Sequence, residues 1–107
     1  ATRWTSDVGK PIIFSEMGAG AKAGRHGEPD EIWTEEFQAG VYEAQIEMVK
    51  AQTECAGMSP WILKDFRTPM RVLPGIQDGY NRKGLVSEEG DRKLAFDTLR
   101  SFYASLD

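Results

Sequence analysis

The residues able to do chemistry in this sequence gather at a few places. Glu16 closes the run Pro11-Ile12-Ile13-Phe14-Ser15, and Gly18 and Gly20 follow it. An acid at the C-terminal end of a buried parallel strand faces the side on which α/β folds carry their active sites. A rigidly held carboxylate there suits catalysis; the plainer reading is an exposed Glu that opens an ordinary loop. A second polar set, Lys64, Asp65 and Arg67, lies at the end of the run Trp61-Ile62-Leu63. His26 and Cys55 are each the single residue of their type. They exclude a multi-histidine zinc site, a thiolate metal site and an internal disulfide.

The elements that must hold these groups follow from the hydrophobic pattern. Residues 11–14 form too long an apolar run for a strand with one wet face, so they predict a short parallel strand buried on both sides, with Pro11 at its entrance. Residues 19–29, rich in Gly, Ala, Lys and Arg, predict a long polar loop on the side of Glu16. A helix then starts between Asp30 and Thr34. Either could cap it, and Glu35 and Glu36 favour its positive end. Its predicted core stripe is Trp33, Phe37, Val41, Ala44, Met48, Ala51 and Cys55, spaced by fours and threes. Cys55 is therefore expected as a buried thiol, and Ala56-Gly57 as the helix stop.

Residues 58–66 predict a second strand and residues 68–80 a second long loop. A final helix is predicted with its cap near Gly90-Asp91 and its buried side on Ala95, Leu99, Phe102 and Leu106. Ahead of all this, Trp4 and Val8 could end a helix stopped by Gly9. Strand, helix, strand within this length is a βαβ unit, which implies a parallel sheet. Both long loops then lie on one face.

The chain has 107 residues, 40% hydrophobic and 28% charged, with a formal net charge of −4. That is ordinary for a globular domain and gives no footing for a nucleic-acid partner, since no basic stripe with interleaved aromatics is present. No apolar run approaches the roughly 18 residues of a membrane span. Two parallel strands leave two open edges, and the chain opens on Ala1 rather than Met. The expectation is a piece of a larger α/β domain.

Pro11-Ile12-Ile13-Phe14-Ser15-Glu16-Met17-Gly18 resembles the nucleophile motif of glycoside hydrolase family 2, the β-glucuronidase and β-galactosidase family. The likeness continues through Gly24-Arg25-His26, residues 32–38, Trp61-Ile62-Leu63-Lys64-Asp65-Phe66 and Asn81-Arg82-Lys83-Gly84-Leu85, in order and over nearly the whole chain. The resemblance implies that residues 1–107 are the C-terminal segment of a (β/α)8 TIM-barrel catalytic domain, carrying strands seven and eight with their helices.

It also implies that Glu16 is the nucleophile of a retaining exo-β-glycosidase, paired across roughly 5–5.5 Å with an acid/base Glu that lies upstream of Ala1. Trp61 would stack on the sugar, Asn81 and Lys83 would grip a uronic acid carboxylate, and His26, Asp65 and Arg67 would support the pocket or add charge to its rim. Two carboxylates supply the chemistry, so no metal or other cofactor is expected. The expected partners are a β-glucuronide or, as runner-up, a β-galactoside, and the rest of the parent barrel; a homo-oligomer is compatible with the family. A non-catalytic carbohydrate-binding remnant is the alternative of a different class. Met17, where the family commonly has an aromatic, and the loop 68–80 depart from the pattern and point to a subgroup with its own substrate preference.

Overall fold

The computed structural model describes residues 10–52 and 55–106. Two short strands, β1 (Ile12–Phe14) and β2 (Cys55–Met58), pair in parallel, with Phe14 opposite Met58. Helix α1 (Glu35–Lys50) lies between them in sequence, so the predicted strand–helix–strand unit is present. A hairpin stem follows, β3 (Phe66–Arg67) antiparallel to β4 (Tyr80–Asn81), and helix α2 (Leu94–Ala104) ends the structure. The expected helix around Trp4 and Val8 lies outside the described residues.

Helix α1 begins where Thr34 leaves the extended region. Its hydroxyl accepts from Phe37 N at 3.0 Å and donates to Glu31 O at 2.7 Å. A hydroxyl at this position takes up one of the amides that no helical carbonyl can reach. The buried face is Glu35, Gln38, Ala39, Tyr42, Ile46 and Val49, one residue round from the predicted stripe. Phe37 and Val41 are half-buried, and Ala44 and Met48 face out. The misreading has a physical cause. Two neighbouring stripes share the helical period, and the truly buried one carries Glu35 and Gln38, whose burial rests on hydrogen bonds rather than apolarity.

Cys55 opens β2 instead of ending α1, and it is partly buried against the core. Ala56 and Gly57, expected as a helix stop, are strand residues. Small side chains announce no strand; the parallel partner supplies the hydrogen bonds that make one. Residues 61–66 do not continue β2. Residues 62–65 instead pair with residues 83–86, with Ile62 N donating to Lys83 O at 3.0 Å and Asp65 N to Val86 O at 3.0 Å. Gly84 permits this approach, since a Cβ there would collide with the backbone of Lys64 and Asp65.

The apolar core joins Tyr42, Ile46 and Val49 of α1 to Met58, Leu85, Ala95, Leu99 and Phe102. Helix α2 thus buries the predicted residues except Leu106, which is 63% exposed beyond the helix end. Its start is later than expected: Lys93 is the cap residue and offers no side-chain bond, while Glu35 Oε1 accepts from Leu94 N at 2.8 Å. A buried carboxylate of one helix caps the next. Ile13 is 64% exposed, because β1 has only one strand neighbour among the described residues and is not covered on both faces as expected.

Candidate active site

Glu16 stands just past the end of β1, exposed, where the chain turns through Met17 and Gly18. Two bonds converge on the carbonyl of Met17: Trp61 N donates at 3.1 Å and the Tyr42 hydroxyl at 3.2 Å. The first brings the backbone of Trp61 beside Glu16. The second seats the turn on α1, so closely that a Cβ on Gly18, at φ +121°, would meet the Tyr42 ring. Burial pushes the Tyr42 hydroxyl up to about 12, and it remains a donor throughout the neutral range.

Lys83 enters from the segment after β4. Its amide donates to Asn81 Oδ1 at 2.9 Å, and its carbonyl accepts from Ile62 N at 3.0 Å. These three neighbouring segments enclose a cavity of about 190 Å³ lined by Glu16, Met17, Gly18, Trp61 and Lys83. Neither Glu16 nor Lys83 makes an ion pair among the described residues. A carboxylate, an ammonium and a half-exposed indole thus border one small space. Such a set can attack an electrophilic carbon, hold an anion and cover an apolar sugar face. The peptide between Trp61 and Ile62 is cis.

The other predicted site residues stand elsewhere. Asn81 is buried and its carbonyl oxygen orders the Lys83 turn. Asp65 is not at the cavity: its Oδ1 accepts from Gly84 N at 2.8 Å and Lys93 Nζ at 2.8 Å, and its Oδ2 from Arg82 at 3.3 Å. Both oxygens are committed to the interior. Arg67 lies exposed in β3, opposite Tyr80. His26 bonds Glu36 at 2.8 Å through Nδ1 and lies 3.6 Å from Glu35 through Nε2. The hydrogen bond to Glu36 raises its pKa above 6.5, with Glu35 adding to the effect against partial desolvation.

What the sequence pattern did not single out is the polar interior behind the cavity, namely Gln38, Arg82, Lys93 and Glu88. Lys93 is 1% exposed and its ammonium touches Ala21 O, Asp65 and Arg82 O. Burial pulls its pKa below 10.5, and Asp65 opposes that fall. Arg82 reaches Glu88 at 2.6 Å, Asp65 and Ile76 O. Burial works to raise the Glu88 pKa, but a backbone donor and the Arg82 guanidinium outweigh it, and the net shift is downward. Only the tertiary partners show Arg82 and Lys93 to be buried and Glu88 to be partly covered. Among the described residues no cluster of three or more metal-ligating side chains occurs, and no helix is long and apolar enough to cross a membrane.

No family model matches the chain. Individual relatives do. A β-glucuronidase of Paenibacillus borealis is 30% identical over 105 residues, which is 98% of this chain and 17% of that protein. Human β-glucuronidase is 34% identical over 106 residues, covering 94% of this chain and 15% of that protein. Among solved structures, a family 2 β-galacturonidase of Eisenbergiella tayi bound to galacturonate superposes with a TM-score of 0.85 at 29% identity, over 98% of this chain and 20% of that one. The chain is homologous to one segment of the family 2 glycoside hydrolases. It spans less than a fifth of the length of the curated relatives above. A Bifidobacterium dentium β-glucuronidase complexed with coumarin-3-O-glucuronide also superposes, with a TM-score of 0.79, 32% identity and 95% of this chain covered against 16% of that one.

Proposed function

We propose that this chain forms the nucleophile side of the active site of a retaining exo-β-glycosidase that acts on β-glucuronides. The observation that carries the reading is the shared cavity of Glu16, Trp61 and Lys83, with a carboxylate and an ammonium that make no ion pair among the described residues. Here β1 and β2 are the seventh and eighth strands of a (β/α)8 barrel, and the cavity is the part of the sugar site built at their C-terminal ends. Glu16 attacks the anomeric carbon and displaces the leaving group, forming a glycosyl-enzyme that water then hydrolyses. Trp61 covers a face of the pyranose. Lys83 pairs with the uronate carboxylate, and Asn81 shapes the turn that presents it.

The acid/base partner comes from another part of the parent protein. Among the described residues Glu16 is the one carboxylate lining the cavity, and Glu35 is already bound to Gly24 N and Leu94 N. The isolated chain is therefore inactive. A β-galacturonide is a second reading, favoured by the ligand named in the Eisenbergiella tayi structure; it offers Lys83 the same carboxylate on a sugar of different stereochemistry. A neutral β-galactoside would leave the Lys83 ammonium without its counter-ion.

The test uses the intact enzyme with matched aryl β-glucuronide, β-galacturonide and β-galactoside. Glu16→Gln is expected to lower kcat by about 10³-fold or more on every substrate cleaved, as loss of a covalent nucleophile does. Lys83→Ala is expected to cost about 30-fold or more in kcat/KM on the uronide alone, the scale of a lost hydrogen bond to a charged group. A wild type that prefers the galactoside and is indifferent to Lys83→Ala sinks the uronide assignment. Sugar binding and biological activity both untouched by Glu16→Gln would instead favour a non-catalytic carbohydrate-binding module.

A further inference from the structure

Two wholly buried donors behind the cavity each tie together the same two loops. Gln38 of α1 is 0% exposed, and its Nε2 donates to Ala19 O at 3.0 Å and to Gly84 O at 3.0 Å. Lys93, at the entrance of α2, donates to Ala21 O at 2.6 Å and to Arg82 O at 3.2 Å, with Asp65 Oδ1 at 2.8 Å as its counter-ion. Ala19 and Ala21 belong to the loop that leaves Glu16. Arg82 and Gly84 are the neighbours of Lys83 on either side. A backbone bond from Ala21 N to Arg82 O, 2.9 Å, lies between the two side-chain links. On the far side, Asp65 Oδ1 also accepts from Gly84 N.

Packing alone does not call for these residues. An apolar side chain would fill either site without the desolvation that a buried amide or ammonium costs. Gln38 carries an added penalty, since its Oε1 has no hydrogen-bond partner among the described residues. What the residue contributes here is its donor group. On the two loops both donors act on backbone carbonyls, so what they fix there is main-chain position.

We propose that Gln38 and Lys93 are positioning residues that set the span between Glu16 and Lys83, and through it select sugars whose anomeric carbon and carboxylate are separated by that span. The inference rests on the uronide reading. Glu16 addresses one end of the sugar and Lys83 the carboxylate at the other, and a rigid spacing makes binding at Lys83 hold the anomeric carbon in line for attack. A neutral sugar with a hydroxymethyl group in place of the carboxylate does not use the second anchor. Loosening the clamp therefore harms the uronide more than its neutral counterpart.

The experiment measures kcat and KM of the intact enzyme on an aryl β-glucuronide and the matching aryl β-glucoside, for wild type, Lys83→Ala, Gln38→Met and Lys93→Met. Gln38→Met removes both donors without creating an unpaired charge, so it serves if Lys93→Met fails to fold. The expected result is a fall of about tenfold or more in the glucuronide-to-glucoside ratio of kcat/KM in Gln38→Met, seen largely in kcat on the glucuronide. Loss of folded enzyme alone lowers both substrates by one factor and leaves the ratio in place. An unchanged ratio in Gln38→Met, with Lys83→Ala abolishing the preference, overturns the clamp and spares the uronide reading. A preference that survives Lys83→Ala overturns both.

Discussion

At the scale of single residues, the groups that line the cavity and those that merely carry charge are separated by their partners. Lys83 makes no ion pair among the described residues, whereas Lys93, the same residue type ten positions on, is buried against Asp65. His26 is the sharpest case for solution work. Its bond to Glu36 raises the histidine pKa above 6.5 and lowers that of Glu36 below 4.5. The histidine's contribution to stability is fully present below 6.5 and is lost as pH rises through the raised value. That of Glu36 is fully present above 4.5 and is lost as pH falls through the lowered value, so the pair is at full strength between the two. An NMR titration of the His26 ring in the intact enzyme is expected to show the raised midpoint. Glu36→Gln should bring it back toward 6.5, and added salt should weaken the shift because the pair is exposed.

At the scale of elements, both helices begin on side chains that do more than cap. Thr34 closes the first turn of α1 and holds Glu31, while Glu35 spans Gly24 N and Leu94 N and so joins the loop after Glu16 to the start of α2. Thr34→Ala is expected to cost about 1 kcal/mol locally, read as roughly fivefold faster hydrogen exchange in the first turn of α1. Gly18→Ala acts on the turn that carries Glu16. The left-handed backbone and the Tyr42 ring both oppose a Cβ there, so a fall in kcat is expected. Tyr42→Phe should not restore it, because the ring carbon Cζ remains in the way.

At the scale of the molecule, the described residues are more extended than a self-contained domain. The radius of gyration is 14.9 Å, with extents of 45 × 28 × 24 Å, against about 13 Å for a compact chain of similar length. Large apolar side chains stand in solvent, with Ile13 at 64%, Leu63 at 63% and Met70 at 89% exposure. Among the described residues each sheet has two strands, too few for independent stability by themselves. The 107-residue chain expressed alone is therefore expected to self-associate, checked by light scattering, and to release no product from an aryl β-glucuronide.

The amino-acid sequence by itself determined the strand–helix–strand order and the closing helix, narrowed the first helix cap to Asp30 or Thr34, and carried most of the buried face of α2 and the string of residues from Glu16 to Lys83 that resembles the family. These are local matters: periodicity, turn chemistry and short motifs are written in neighbouring residues. The tertiary structure alone decided which of two stripes on α1 faces inward, that Ala56-Gly57 is strand, and that Asp65 belongs to the interior rather than to the cavity. Those outcomes depend on partners distant in sequence. Gly84 and Lys93 claim the oxygens of Asp65, and a carboxylate's role follows from which donors reach it.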